Sequence, residues 1–187
     1  NIKYPYGGGV QFYNTGTFTF SNNVLYSINS GRGLSISGSS NPNCLVYNNF
    51  IADSTINGNL EGIILSGCQH LKIYNNSLNQ NSYCLYAENN CDSIEVYNNI
   101  FNKRSSGWIF RVFNNCTNFK FDYNNLKNTG GDFVQLYDST FAGFSTYKAT
   151  GNGQNSISVD PKFVSNVNLH ASSTSLYRAG KNVGITT

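Results

Sequence analysis

Apolar and polar residues alternate along this chain in short runs, and the runs themselves recur. Apolar pairs two residues apart stand at Phe18/Phe20, Cys44/Val46, Leu71/Ile73, Ile94/Val96 and Phe119/Phe121. A spacing of two puts both side chains on one face of a strand, so each pair is predicted to face inward. Each run closes on Asn, and the last Asn of each stands at 23, 49, 76, 99 and 124, in steps of 26, 27, 23 and 25 residues. Roughly 25 residues is the length of one solenoid coil made of three short strands and three turns. A second strand set lies upstream of each Asn, with inward pairs Val10/Phe12, Leu34/Ile36, Ile63/Leu65, Leu85/Ala87, Phe110/Val112 and Val134/Leu136. A third follows each Asn after two residues, at Leu25, Ile51, Leu78, Phe101 and Leu126. The pattern predicts an all-β chain, a right-handed single-stranded parallel β-helix of about six or seven coils.

Composition sharpens this picture at the corners. The chain has 31 Asn and 18 Gly but 3 Pro, and Asn tolerates the left-handed backbone that a tight bend demands. Coils stack about 4.8 Å apart, so successive corner amides are expected to hydrogen-bond as a ladder. No 12-residue stretch repeats apolar residues at helical spacing, so no long helix is expected. The 187 residues suit one domain, with regular coils over 9–138, an irregular excursion over 139–156 and a closing coil over 157–187. The chain contains no Met and opens on strand-like sequence, from which it is read as the carboxyl-terminal part of a longer protein.

The Tyr-Asn-Asn runs at 47–49, 74–76 and 97–99, with Gly62-Ile63-Ile64-Leu65, resemble the repeats of the pectate-lyase-like superfamily over residues 9–138. Val159-Asp160-Pro161-Lys162-Phe163-Val164 and the Ser173 to Gly180 run are similar to the closing segment of bacterial secreted β-helix proteins, with Leu176 where those carry Pro. The resemblance implies a secreted or cell-surface protein with a groove along the strand set that runs from Val10/Phe12 to Val134/Leu136. It also implies a polysaccharide partner and, if the domain is an enzyme, a lyase acting by β-elimination.

The outward positions of that set read Gln11, Ser35, Ile64, Tyr86, Arg111, Gln135 in one column and Tyr13, Ser37, Ser66, Glu88, Phe113, Tyr137 in the next. Arg111, Tyr86 and Glu88 on neighbouring coils form the catalytic candidate, since an Arg can neutralise a uronate carboxylate while a Tyr moves a proton. Gln135, Tyr137, Tyr13 and Phe113 are the substrate-binding candidates. A second outward face carries Tyr47, Tyr74 and Tyr97 beside Lys72, Glu95 and Lys120, read as a stabilising stack or a second carbohydrate platform.

Charge excludes some classes. Twelve basic against nine acidic residues give +3 with no Lys/Arg run, so nucleic acid is not an expected partner, and no apolar stretch is long enough to span a bilayer. Relatives bridge carboxylates with calcium, but no two of the nine acids are closer than Asp92 and Glu95; no metal and no cofactor are expected, and a tight Ca2+ site in particular is not. Cys68, Cys91 and Cys116 should stack as thiols, and with Cys44 and Cys84 they make neither a zinc signature nor a paired disulfide framework. The alternative to a polysaccharide-binding or lyase domain is a non-catalytic structural or adhesin segment, including a trimeric tail-fibre-like one.

Overall fold

The computed structural model describes residues 2–4, 9–27, 30–55, 58–105, 107–129 and 132–185. Three sheets form the walls of a parallel β-helix. Sheet I stacks Val10–Tyr13, Ser30–Ser37, Asn59–Ser66, Leu85–Glu88, Phe110–Val112 and Val134–Leu136, each parallel to the next. Sheet II stacks Thr19–Ser21, Leu45–Tyr47, Lys72–Tyr74, Glu95–Tyr97 and Lys120–Asp122. Sheet III stacks Ile2–Tyr4, Val24–Ser27, Phe50–Asp53, Ser77–Gln80, Ile100–Lys103 and Asn125–Asn128. Five full turns separate the first strand of sheet I from the sixth.

The register is the one the repeat predicts. Val10, Leu34, Ile63, Leu85, Phe110 and Val134 pair in series, as do Phe20, Val46, Ile73, Val96 and Phe121. Leu25, Ile51, Leu78, Phe101 and Leu126 do the same on sheet III. These side chains fill the interior, nearly all of them fully buried. On the first three rungs of sheet I the residue before the inward pair is glycine, Gly9, Gly33 and Gly62, and backbone passes close to each. A Cβ on Gly62 would stand 2.4 Å from Cys84 O and 2.6 Å from Leu78 Cδ2, a clash with backbone that no side-chain rotation relieves.

At the corner between sheets II and III two adjacent residues divide the work expected of one. The first takes the left-handed conformation: Asn22, Asn48, Asn75, Asn98 and Tyr123 have φ of 57, 54, 55, 60 and 55°. The second builds the ladder: Asn23, Asn49, Asn76 and Asn99 each donate Nδ2–H to the Oδ1 of the next Asn at 2.9–3.1 Å. The ladder stops where Asn124 N–H donates to Ser156 Oγ at 3.1 Å. Each interior amide also donates to backbone carbonyls, Asn76 to Val46 O and Tyr74 O, both at 3.0 Å, so the buried polar atoms of the turn are satisfied.

The carboxyl-terminal region departs from the sequence reading. Residues 139–156, read as an irregular excursion, contain Ser139–Phe141, which turns back antiparallel onto Val134–Leu136, and a helix, Phe144–Lys148. The helix inserts Tyr147 against Phe110, Phe133 and Phe141 and closes the open end of the core. A helix of five residues is too short to show a 3.6-residue period, so no pattern could announce it. Residues 157–185, read as a closing coil, begin as a further rung, Ile157 bridging Asn125 in parallel, and from Val159 run along the outside of sheet III. Val159 meets Asn125, Asn166 meets Asn79, His170 meets Phe50, and Lys181 meets Asn98. Ala52, Ser77, Asn79 and Asn125 on or beside this wall are buried.

Candidate functional site

The outward columns of sheet I stand in the predicted register, Ser35, Ile64, Tyr86, Arg111 and Gln135 pairing in series. Two of their members are not surface: Ser35 is 5% and Ile64 2% exposed. The accessible chemistry therefore gathers on later coils. Tyr86 Oη donates to Glu88 Oε2 at 3.3 Å, and the Tyr86 ring lies edge-on to Phe113 with centroids 5.4 Å apart. Gln135 is the neighbour of Arg111 one coil on, and Tyr137 follows it, its N–H bonded to Val112 O. Tyr13 lies four coils from Phe113 in the same column, roughly 19 Å away at the usual strand spacing, and does not join the cluster.

Two residues missed in the sequence complete it. Tyr83 and Trp108 precede the inward Leu85 and Phe110 by two positions and stack at 6.4 Å with 9° between ring planes; Tyr83 also meets Tyr86 at 5.3 Å. Arg111 threads this group, its guanidinium carbon 5.0 Å from the Trp108 centroid and 4.3 Å from that of Phe113. Aromatic faces on either side hold the cation by its π contacts and leave the edge of the fork for polar partners. The ion pairs among the described residues are Arg32–Glu61, Arg104–Asp53 and Lys120–Glu95, so none neutralises Arg111. Arg111 Nε, Trp108 Nε1 and Gln135 Oε1 are buried atoms without hydrogen-bond partners among the described residues. Native proteins leave few such atoms unpaired, and these three stand on adjacent coils.

The electrostatics of the trio bear on its chemistry. Burial raises the pKa of Tyr86, the charge of Glu88 raises it further, and Arg111 opposes the rise. At neutral pH the phenol holds its proton, so Tyr86 is equipped to donate a hydrogen bond rather than to abstract a proton.

Sheet II presents a different surface. Lys72, Glu95 and Lys120 pair in register, Lys120 Nζ lies 3.3 Å from Glu95 Oε1, and the Tyr74 hydroxyl donates to Glu95. An open hollow of about 430 Å³ runs past Pro42, His70, Lys72, Ser93, Glu95, Asn118 and Lys120. The tyrosine column beside it is largely taken up: Tyr74 is 6% exposed and stacks on Tyr97 at 5.7 Å, and Lys181 Nζ lies 3.6 Å from the Tyr97 centroid. As a carbohydrate platform this face offers little free ring.

All five cysteines are free and buried. Cys68, Cys91 and Cys116 stack as read from the sequence, the Cys68 N–H donating to Cys91 Sγ at 3.3 Å. Glu61 and Glu88 take separate partners, Arg32 and Tyr86, and among the described residues no three His, Cys, Asp or Glu side chains converge as metal ligands do.

A solenoid wall with one non-repeating aromatic and cationic cluster on its outer face defines a β-helix repeat domain. The chain belongs to the right-handed β-helix region family, whose model matches residues 1–152. No curated protein and no solved structure matches it. Among the described residues no helix is long and apolar enough to cross a membrane.

Proposed function

We propose that this chain is a glycan-binding β-helix domain, acting outside the cell, that holds a polysaccharide across sheet I where Tyr83, Tyr86, Trp108, Arg111, Phe113 and Gln135 meet. The observation that carries this reading is Arg111, held between two aromatic faces with a buried Nε that no described residue pairs. Sugar rings present C–H faces that pack on aromatic rings, and a carboxylate or hydroxyl on the same sugar satisfies the guanidinium edge, the indole N–H and the Gln135 carbonyl. The acidic glycans implied by the resemblance to pectate-lyase-like repeats fit this combination best.

Tyr86, the candidate for proton transfer, holds its proton at neutral pH and so can donate a hydrogen bond to a bound glycan. Gel electrophoresis through acrylamide containing pectate, alginate or neutral glucan tests the reading. An acidic polysaccharide is expected to retard the wild-type chain, and Trp108→Ala should weaken that retardation at least about tenfold, as loss of a stacking platform and its cation contact implies. Equal mobility in every gel would sink the binding proposal, and a rise in ultraviolet absorbance from an unsaturated product would restore the lyase reading.

A further inference from the structure

The carboxyl-terminal tail is attached to the solenoid chiefly through its backbone. Asn98 donates Nδ2–H to Lys181 O at 2.8 Å and accepts the Lys181 N–H on Oδ1 at 2.9 Å. Asn125 holds Val159 in the same two-way manner at 3.0 and 2.9 Å, and Asn79 donates to Asn166 O at 3.1 Å. A side-chain amide that donates to and accepts from one residue's main chain imitates the edge of a strand. Side chains add sequence preference at three places, the first being His170, whose ring meets Phe50 edge-on at 5.0 Å. A Cβ on Gly180 would already come within 3.1 Å of Asn98 Oδ1, and Lys181 Nζ rests on Tyr97, 3.6 Å from its centroid.

The tail is also separable. Among the described residues none beyond Tyr147 belongs to the hydrophobic core cluster, so the tail packs outside the core. Between Pro161 and Ser173 the tail folds on itself: Phe163 bridges Ala171, and the Ser172 N–H reaches Pro161 O at 3.2 Å. It keeps a shape of its own, while Asn125 fixes its root at Val159, and the link between the two is Asp160. Its outer side leaves Val164 and Tyr177 66% and 75% exposed.

We propose that residues 161–185 are exchangeable between copies, so that the track formed by Asn79, Asn98, Tyr97 and Phe50 on one chain accepts the tail of a second copy. Every contact available to the tail at home is available in the exchanged form, because the docking surface is identical on each chain. A tethered segment competes with its free counterpart at an effective concentration of roughly millimolar. Dilute protein is therefore monomeric with its tail at home, and exchange dimers grow as the chain approaches that concentration.

Two full-length variants separate acceptor from donor. Asn98→Ala spoils the track and keeps the tail, whereas Gly180→Glu spoils the tail and keeps the track. Each alone should sediment as a monomer and be cut rapidly by trypsin after Lys181. An equimolar mixture at roughly millimolar chain should form a 1:1 dimer and regain protection of Lys181 several-fold. The wild-type chain supplies a readout that depends on neither variant's folding: it should pass from monomer to dimer on concentration from micromolar to millimolar, and Lys181→Glu should abolish the change. A wild-type chain that stays monomeric throughout, or a mixture of folded variants with neither dimer nor protection, overturns the exchange.

Discussion

On the inner face of sheet I every coil presents the same two apolar positions, from Val10/Phe12 to Val134/Leu136, whereas the outer column on the same rungs reads Gln11, Ser35, Ile64, Tyr86, Arg111 and Gln135. The inner residues are interchangeable because each does one job, filling the tube against the coils above and below. The outer residues are not, and the aromatic rings and the unpaired cation collect on neighbouring coils. In a solenoid, repetition marks what holds the fold, and its failure on a solvent face marks where to look for binding.

Substitutions that separate the two faces test this division. The largest loss of stability is expected inside, at the ladder. Asn76→Ala removes an amide whose two N–H hydrogens serve Val46 O, Tyr74 O and Asn99 Oδ1, and leaves the Asn49 N–H, which Asn76 Oδ1 accepts at 3.0 Å, without its partner. With each orphaned buried group worth 1–3 kcal/mol, the urea midpoint should report a loss of about 3–5 kcal/mol. Gly62→Ala comes next, at about 1–3 kcal/mol by the same measurement, because the added methyl meets the Cys84 carbonyl.

Third is a pH effect confined to the interior. Burial pushes the Cys84 thiol up to about 12, with Lys103 pulling it down. Its ordinary value is about 8.5, so above that pH the unfolded chain loses a proton that the folded chain keeps. Stability contributed by this thiol is thus complete below pH 8.5 and falls as pH rises towards 12, by up to about 1.4 kcal/mol per pH unit. Burial lowers the pKa of Lys103 and gives the opposite slope, so Cys84→Ala should leave stability rising more, or falling less, between pH 9 and 10 than in the wild type. An unchanged slope would mean the thiol is not insulated from water. The smallest expected effect on folding is on the outer face: Trp108→Ala should cost under about 1 kcal/mol of stability while abolishing most polysaccharide retention. A large stability loss there would erase the distinction between the two faces.

The same contrast explains what could be read in the sequence. Phe20, Val46, Ile73, Val96 and Phe121 were legible because they recur, and so was the Asn ladder; the division of each corner into a left-handed residue and a ladder residue was not, since both are Asn in four of five coils. Tyr86, Glu88, Arg111, Phe113, Gln135 and Tyr137 were placed on the correct face by alternation. Trp108 and Tyr83 were missed because alternation fails there: Cys84 and Leu85, like Ile109 and Phe110, are consecutive buried residues, so a period of two carried upstream from Leu85 and Phe110 would have turned both rings inward. The tail was beyond reach of any local pattern, for its partners Asn98 and Lys181 are 83 residues apart and meet through amide-to-backbone bonds that any extended segment can make.

Trp108 is the single tryptophan of the chain, so its emission reports directly on the face where the glycan is placed. Titrating acidic oligosaccharides into the wild-type protein should produce a saturable change in that emission, absent from Arg111→Met. Retention of polysaccharide with unaltered tryptophan emission, or an identical response from Arg111→Met, would contradict the assignment of this cluster as the binding site.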